Sequence, residues 1–162
     1  MQCRRLSLIG GALVVSLALS ACGSGANTPT TTTTSAASLL RKAENAYLAV
    51  FNQMIGRTNA LVANENSSDP ATATAGWKAA VTDQKAFDRR VQQIKFPSSL
   101  QLDADNVVSA DIELETIEGT LAINTDSVSN YNSIFDTLTP AQAAFNAANA
   151  TLTHKLGLVA NS

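Results

Sequence analysis

The chain has 162 residues, of which 13 are acidic and 11 are Lys or Arg, so its formal charge is −2. This weak negative charge argues against binding to nucleic acid and against electrostatic docking on anionic lipid, because both need a basic surface. Aromatic residues make up 5% of the chain. Low aromatic content with plentiful alanine favours closely packed helices over strands, so we predict an all-α protein.

The N-terminal segment combines a basic start with a short apolar run. Arg4 and Arg5 precede the run, which covers residues 6–19 and leads into Leu19-Ser20-Ala21-Cys22. A basic start, an apolar stretch of about 7–15 residues and small residues at its end are typical of a secretory signal peptide. A membrane-spanning helix needs about 20 apolar residues, so the run is predicted to be a cleaved signal.

The tetrad Leu19-Ser20-Ala21-Cys22 resembles the lipobox of bacterial lipoproteins. The resemblance implies that residues 1–21 are removed as a signal peptide and that lipid is attached to the Cys22 thiol. Two or more acyl chains give stable membrane attachment. We therefore expect a protein held by lipid on the extracytoplasmic face of the cell membrane. The alternatives are an ordinary cleaved signal with an incidental cysteine and an uncleaved apolar anchor.

Cleavage would leave nine basic and 13 acidic residues, a formal charge of −4, with Cys22 as the one cysteine. A lipidated Cys22 leaves no thiol for an internal disulfide, so stability has to come from packing. Residues 22–37 include a threonine run without apolar periodicity, which predicts a disordered tether between bilayer and domain. Glycosylation of the threonines is an alternative role for this run.

Residues 38–158 are predicted to form a four-helix bundle that runs antiparallel, up-down-up-down. Apolar side chains recur every three or four residues, which is the spacing of amphipathic helices. The first three helices are predicted over residues 38–64, residues 72–94 and a stretch from about residue 100 to residue 124. In the third, apolar residues stand seven apart at Leu100, Val107, Leu114 and Leu121.

The fourth predicted helix contains an ambiguity at Pro140. Thr139-Pro140-Ala141-Gln142 has the pattern of a new helix start, with a Thr cap, an early Pro and a Gln three residues after the cap. The apolar stripe nevertheless keeps one seven-residue register from Val128 to Leu156. We therefore predict one long helix kinked near Pro140, with a break there as the alternative. Gly157 is predicted to end it as a C-cap.

The third helix carries an acidic face formed by Asp111, Glu115 and Glu118. Their i, i+4, i+7 spacing places them on one side of the helix. We predict a solvated face that pairs with basic side chains of the second helix, namely Lys85, Arg89 and Arg90. The alternative is a cation site with the three carboxylates as ligands. Calcium sites usually take their oxygens from a flexible loop, so we predict no metal site.

Catalytic signals are missing from the sequence. His154 is the one histidine, whereas a di-metal bundle site uses two. There is no nucleophile motif and no phosphate-binding glycine loop. We therefore predict no enzymatic activity and no cofactor. Aromatic residues at helical spacing are predicted to be core. Polar residues on the inward stripes are predicted to fix helix register rather than line a cavity: Thr58, Gln84, Gln142 and Asn149.

Several features together resemble the small lipoproteins of high-GC actinobacteria. They are the lipobox at Cys22, the threonine-rich tether, the helix from Trp77 to Phe87 that leads into Ile94-Lys95-Phe96-Pro97, and the ending Leu152-Thr153-His154-Lys155-Leu156-Gly157-Leu158. The resemblance implies an outer-leaflet location and offers no activity. We expect a non-enzymatic module that binds an envelope partner or a small ligand. The alternative is a metal or small-molecule chaperone that uses Asp111, Glu115 and Glu118.

Overall fold

The computed structural model describes residues 35–65, 69–124 and 128–158, and all regular structure in these ranges is helical. The five helices are α1 (Ala36–Glu65), α2 (Pro70–Gln93), α3 (Gln101–Leu121), α4 (Val128–Phe135) and α5 (Leu138–Leu156). Helix α1 packs against α2, α2 against α3, α3 against α5, and α5 also contacts α1. Four helices thus surround one core, which confirms the predicted all-α class. No helix of the described ranges combines the length and the apolar composition needed to cross a bilayer.

The predicted signal peptide, Cys22 and most of the predicted tether lie outside the described residues. The tether was predicted to extend to residue 37, but α1 already begins at Ala36. Ser35 begins the helix, because its hydroxyl accepts a hydrogen bond from the backbone N–H of Ser38. A side chain that accepts from a first-turn N–H stabilises a helix start.

Helix α2 begins and ends where local chemistry requires it. The Asp69 carboxylate accepts a hydrogen bond of 2.9 Å from the backbone N–H of Thr72, and Pro70 occupies the first helical position. Proline is favoured there because the N–H it lacks would have no partner inside the helix. At the other end Ile94 is extended, three residues before Pro97.

The prediction of one long fourth helix is wrong. Helix α4 ends at Phe135 and α5 begins at Leu138, so the helix is interrupted. The interruption lies just before Thr139-Pro140, where the alternative prediction placed a new helix start. The Thr137 hydroxyl donates to the carbonyl of Ile134 at the end of α4. Pro140 lies in the first turn of α5, where its missing N–H leaves no helical bond unmade. One apolar register continues across the break because both α4 and α5 pack against α3.

The core is built from the predicted stripes. The four residues of the predicted heptad pattern, from Leu100 just before α3 to Leu121 at its end, are all buried. Phe87 of α2 makes edge-to-face ring contacts with Tyr47 of α1 and with Phe145 of α5. A smaller cluster joins Trp77 to Leu121 and to the rings of α4. Gly157 closes α5 with a left-handed φ of 79°, as predicted.

Side-chain contacts fix the relative directions of the first three helices. Arg57 of α1 pairs with Asp83 of α2 at 2.6 Å, while Gln53, one turn earlier, bonds to Arg90, further along α2. On α2 and α3, Lys85 pairs with Glu115, while Asp88, further along α2, lies near Asp111, one turn earlier on α3. Each of these neighbouring pairs of helices therefore runs antiparallel. The up-down-up-down order of the whole bundle remains a prediction.

Candidate functional site

The structure places two of the three acidic candidates of α3 in the interior. Asp111 is 1% exposed and Glu118 is also buried, whereas Glu115 is half-buried. The predicted solvated face is therefore wrong for Asp111 and Glu118. The reason is positional: each follows a buried heptad residue, Val107 or Leu114, by four and so shares its inward stripe.

The predicted pairing with the second helix is only partly right. The carboxylate of Glu115 lies 3.2 Å from the ammonium group of Lys85, as expected. Arg89 and Arg90 are exposed, and Arg90 bonds to Gln53 of α1 instead. Among the described residues neither arginine forms an ion pair with α3.

The buried acids of α3 meet further polar side chains from two other helices. Asp88 and Gln84 of α2 are buried and lie close enough to Asp111 and Glu118, respectively, to affect the pKa values of those acids. Glu65, the last residue of α1, is also buried and lies close enough to Glu118 to repel its negative charge. We call the four acids the carboxyl cluster: Glu65, Asp88, Asp111 and Glu118.

A close backbone contact holds the end of α1 at this cluster. A Cβ at Gly76 of α2 would lie 2.8 Å from the backbone nitrogen of Glu65 and 3.0 Å from the backbone carbon of Asn64. Real side chains do not tolerate a contact that short with backbone atoms. Glycine at position 76 therefore lets the last turn of α1 lie directly on α2.

The cluster has more hydrogen-bond acceptors than donors. The buried oxygens Gln84 Oε1, Asp88 Oδ1, Asp111 Oδ2 and Glu118 Oε2 have no donor among the described residues. No acid of the carboxyl cluster forms an ion pair in those parts of the chain, where the pairs are Arg57–Asp83, Lys85–Glu115 and Lys155–Asp103. A buried carboxylate without a cation is costly, and such a group takes up a proton instead.

Burial and mutual repulsion raise the pKa of every acid in the cluster. Burial raises the pKa of Glu65 to about 7. Burial and the negative charge of Glu65 raise the pKa of Glu118 to about 8. Asp88 and Asp111 titrate as a pair: burial raises the pKa of both, and the charge of Asp88 raises that of Asp111 further. All four side chains therefore favour the protonated form well above the usual range near 4.

The arrangement is suited to holding protons rather than a metal ion. Asp88 and Asp111 are buried close together, and two such carboxyl groups can share a hydrogen bond only when one of them carries a proton. Within the described ranges, no three His, Cys, Asp or Glu side chains are arranged to hold a metal ion. The geometry thus gives no support to Asp111, Glu115 and Glu118 as a ligand set.

The other polar residues that were predicted to lie on inward stripes differ in their burial and in their hydrogen bonds. Asn149 accepts a hydrogen bond of 2.6 Å from the phenol of Tyr47, which joins α5 to α1 as a register contact would. Gln142 bonds to Asn146 on its own helix, and Thr58 is exposed, so the inward placement of Thr58 is wrong. His154 is exposed.

Sequence reasoning missed two members of the cluster. Asp88 follows Gln84 by four and precedes Val91 by three, so its place on the inward stripe was readable from the spacing. Glu65 gave no such signal, because it stands in a polar run at a helix end. Its burial depends on the contact with Gly76.

Comparisons with known proteins add no assignment. No family model matches the chain, and neither the curated proteins nor the solved structures contain a match.

Proposed function

We propose that the protein is a lipid-anchored, extracytoplasmic helical module that binds a partner in the cell envelope without catalysing a reaction. The observation that carries the proposal is the lipobox-like Leu19-Ser20-Ala21-Cys22 after a basic and apolar leader. Residues 23–35 separate Cys22 from the first helix. As a flexible chain they would set the bundle at a root-mean-square distance of about 20 Å from the lipid.

The placement of the titratable groups supports a binding role over a catalytic one. The acids with raised pKa values lie between α1, α2 and α3 rather than along an open recess. A substrate would reach them only if these helices separated. The outer faces of the helices, by contrast, are directly available to a partner protein.

Lipidation is tested by comparing two cysteine variants in a bacterium that processes lipoproteins. Cys22→Ala should abolish acylation and release the protein from the membrane fraction. Cys3→Ala is the matched control, because Cys3 would leave with the leader. The wild type and the control should show an intact mass that begins at residue 22 plus acyl chains. Membrane retention of an unacylated Cys22→Ala variant, or a wild type with its leader intact, contradicts the proposal.

Partner binding is tested by capture from detergent-solubilised envelope. The bait is the lipidated full-length protein. The control bait carries residues 1–37 fused to an unrelated helical domain, so that it has the same anchor and tether. A partner retained by the full-length protein and absent from the control supports binding through the bundle. Identical recovery by both baits, or none by either, contradicts it.

A further inference from the structure

We propose that the carboxyl cluster is a pH-dependent switch that holds the C-terminal end of α1 against α2 and α3 while it is protonated and releases that end when it ionises. The inference is independent of lipidation and of the proposed partner. It rests on three features of the described residues: a surplus of buried acceptors, the backbone contact at Gly76, and the absence of a cation paired with the cluster.

The surplus of acceptors requires protons in the closed form. Gln84 is more than nine-tenths buried, and its Oε1 has no donor among the described residues although the buried Glu118 is its neighbour. A protonated Glu118 can donate to that oxygen while it accepts from the amide N–H of Gln84. In the same way, one proton shared by Asp88 and Asp111 turns two opposed acceptors into a hydrogen-bonded pair. Without these protons the oxygens are buried with no partner.

The end of α1 is the part that ionisation would release. Glu65 ends α1, and this turn lies so close to α2 that a Cβ at Gly76 would be 2.8 Å from the backbone nitrogen of Glu65. Glu65 lies close enough to Glu118 for its charge to raise the pKa of Glu118, so a negative charge on both would repel the α1 end from α3. Asp88 and Asp111 lie instead within the long helices α2 and α3, which are held by apolar contacts on both sides of them.

Among the described residues, no neighbouring helix supplies a charge that pairs with the cluster. On α1, the phenol of Tyr47 lies near Asp111, and Arg57 is paired with Asp83. Facing the cluster from α2 and α3, Lys85 and Glu115 pair with each other at the half-buried rim. On α5, Lys155 is bound to Asp103, and the described parts of α4 and α5 form no ion pair with the cluster.

The pH at which the switch opens follows from the direction in which the pKa values of the cluster are shifted. The pKa values of Glu65 and Glu118 are raised to about 7 and about 8, so the closed form loses protons as pH rises through this range. The closed state is therefore favoured at mildly acidic pH and weakened in mildly alkaline medium.

Hydrogen exchange of the purified full-length protein tests the switch. Protection factors, corrected for intrinsic exchange, are measured at pH 6 and pH 9 for residues 58–65 of α1 and for α5 as internal reference. We expect protection of the α1 end to fall at least about tenfold relative to α5, which corresponds to one pKa unit of coupling. An unchanged ratio between the two segments overturns the proposal.

Two neutral variants and one control separate the switch from general alkaline destabilisation. Glu65→Gln and Glu118→Gln should each reduce the pH dependence of protection at the α1 end, because an amide keeps the hydrogen bonding and cannot ionise. Glu113→Gln removes the same charge from an exposed site on α3 and should leave the wild-type profile. A wild-type profile in Glu65→Gln, which lies at the helix end and is the variant least disruptive to folding, overturns the proposal.

Discussion

The interior contains two groups of buried polar side chains that differ in whether each acceptor meets a donor. Tyr47 is fully buried and donates its phenol hydrogen to Asn149 Oδ1 at 2.6 Å, so a donor meets an acceptor. At the carboxyl cluster, by contrast, one buried oxygen each of Gln84, Asp88, Asp111 and Glu118 has no donor among the described residues. The first contact is complete at any physiological pH, whereas the second is complete only when protons are bound.

The difference predicts how the free energy of unfolding varies with pH. The pKa values of the cluster are raised in the folded protein above those of the unfolded chain, which lie near 4. Their contribution is fully present below the unfolded pKa and is lost as pH rises through the folded values. The Tyr47–Asn149 contact should contribute equally throughout this range.

The largest expected effect belongs to the apolar core beside the cluster. Phe87→Ala removes a buried ring that contacts those of Tyr47 and Phe145 and should lower the free energy of unfolding by about 3–5 kcal/mol. Because no charge is involved, urea unfolding should give the same loss at pH 5 and pH 8. A loss that changes steeply with pH would show that the core and the cluster are not separable as described.

The next effect tests the cluster itself. Asp111→Asn replaces an acid that is costly to ionise with a neutral amide, so it should raise the free energy of unfolding by about 2 kcal/mol at pH 9. At pH 5 the gain should be smaller, because the penalty for keeping this acid protonated in the folded state grows steadily as pH rises above the unfolded pKa. Urea unfolding at both pH values measures the difference. Asp105→Asn, at an exposed site on the same helix, is the control. If Asp111→Asn destabilises the protein more at pH 9 than at pH 5, Asp111 is not protonated in the folded protein as described.

A smaller and pH-independent effect is expected for the hydrogen bond between Tyr47 and Asn149. Tyr47→Phe removes the donor to Asn149 and should cost about 1 kcal/mol at every pH between 5 and 8. A double-mutant cycle with Asn149→Ala, followed by thermal or urea unfolding, isolates the pairwise energy. Strictly additive single variants would mean that the hydrogen bond does not stabilise the bundle.

The smallest effect is expected at the rim of the cluster. Lys85 is about half exposed and pairs with Glu115, so Lys85→Gln should cost no more than about 0.5 kcal/mol. That loss should shrink further at high salt, because screening weakens exposed pairs. A loss of several kcal/mol that persists at high salt would identify Lys85 as the counter-ion of the buried acids and contradict their protonation.

Periodicity was enough to predict most of the fold but not its exceptions. The apolar stripes of α2 and α3 predicted which faces of these helices are buried. The same three- and four-residue spacing indicates both that a segment is helical and which side faces the core. The break between α4 and α5 was missed because two helices that pack on the same partner keep one register. Gly157 was predictable because a glycine after a helical stripe has a conformational reason to be there.

The site was predictable only in part. The spacing of Asp111, Glu115 and Glu118 correctly placed them on one side of α3. Their charge led us to predict that this side faces solvent. Asp111 and Glu118 are buried instead, because they share the inward stripe of Val107 and Leu114. Asp88 could have been found by the same spacing argument. The burial of Glu65 could not, because it depends on a backbone contact with Gly76, which is distant in sequence.

Carbon-13 NMR titration of the side-chain carboxyl groups is the most direct test of the central claim that the buried acids hold protons near neutral pH. We expect Glu118 to titrate near pH 8 and Glu65 near pH 7. Assignment uses the Glu118→Gln and Glu65→Gln variants. If every carboxyl group of the folded protein ionises near pH 4, the cluster is charged at neutral pH and the account is wrong.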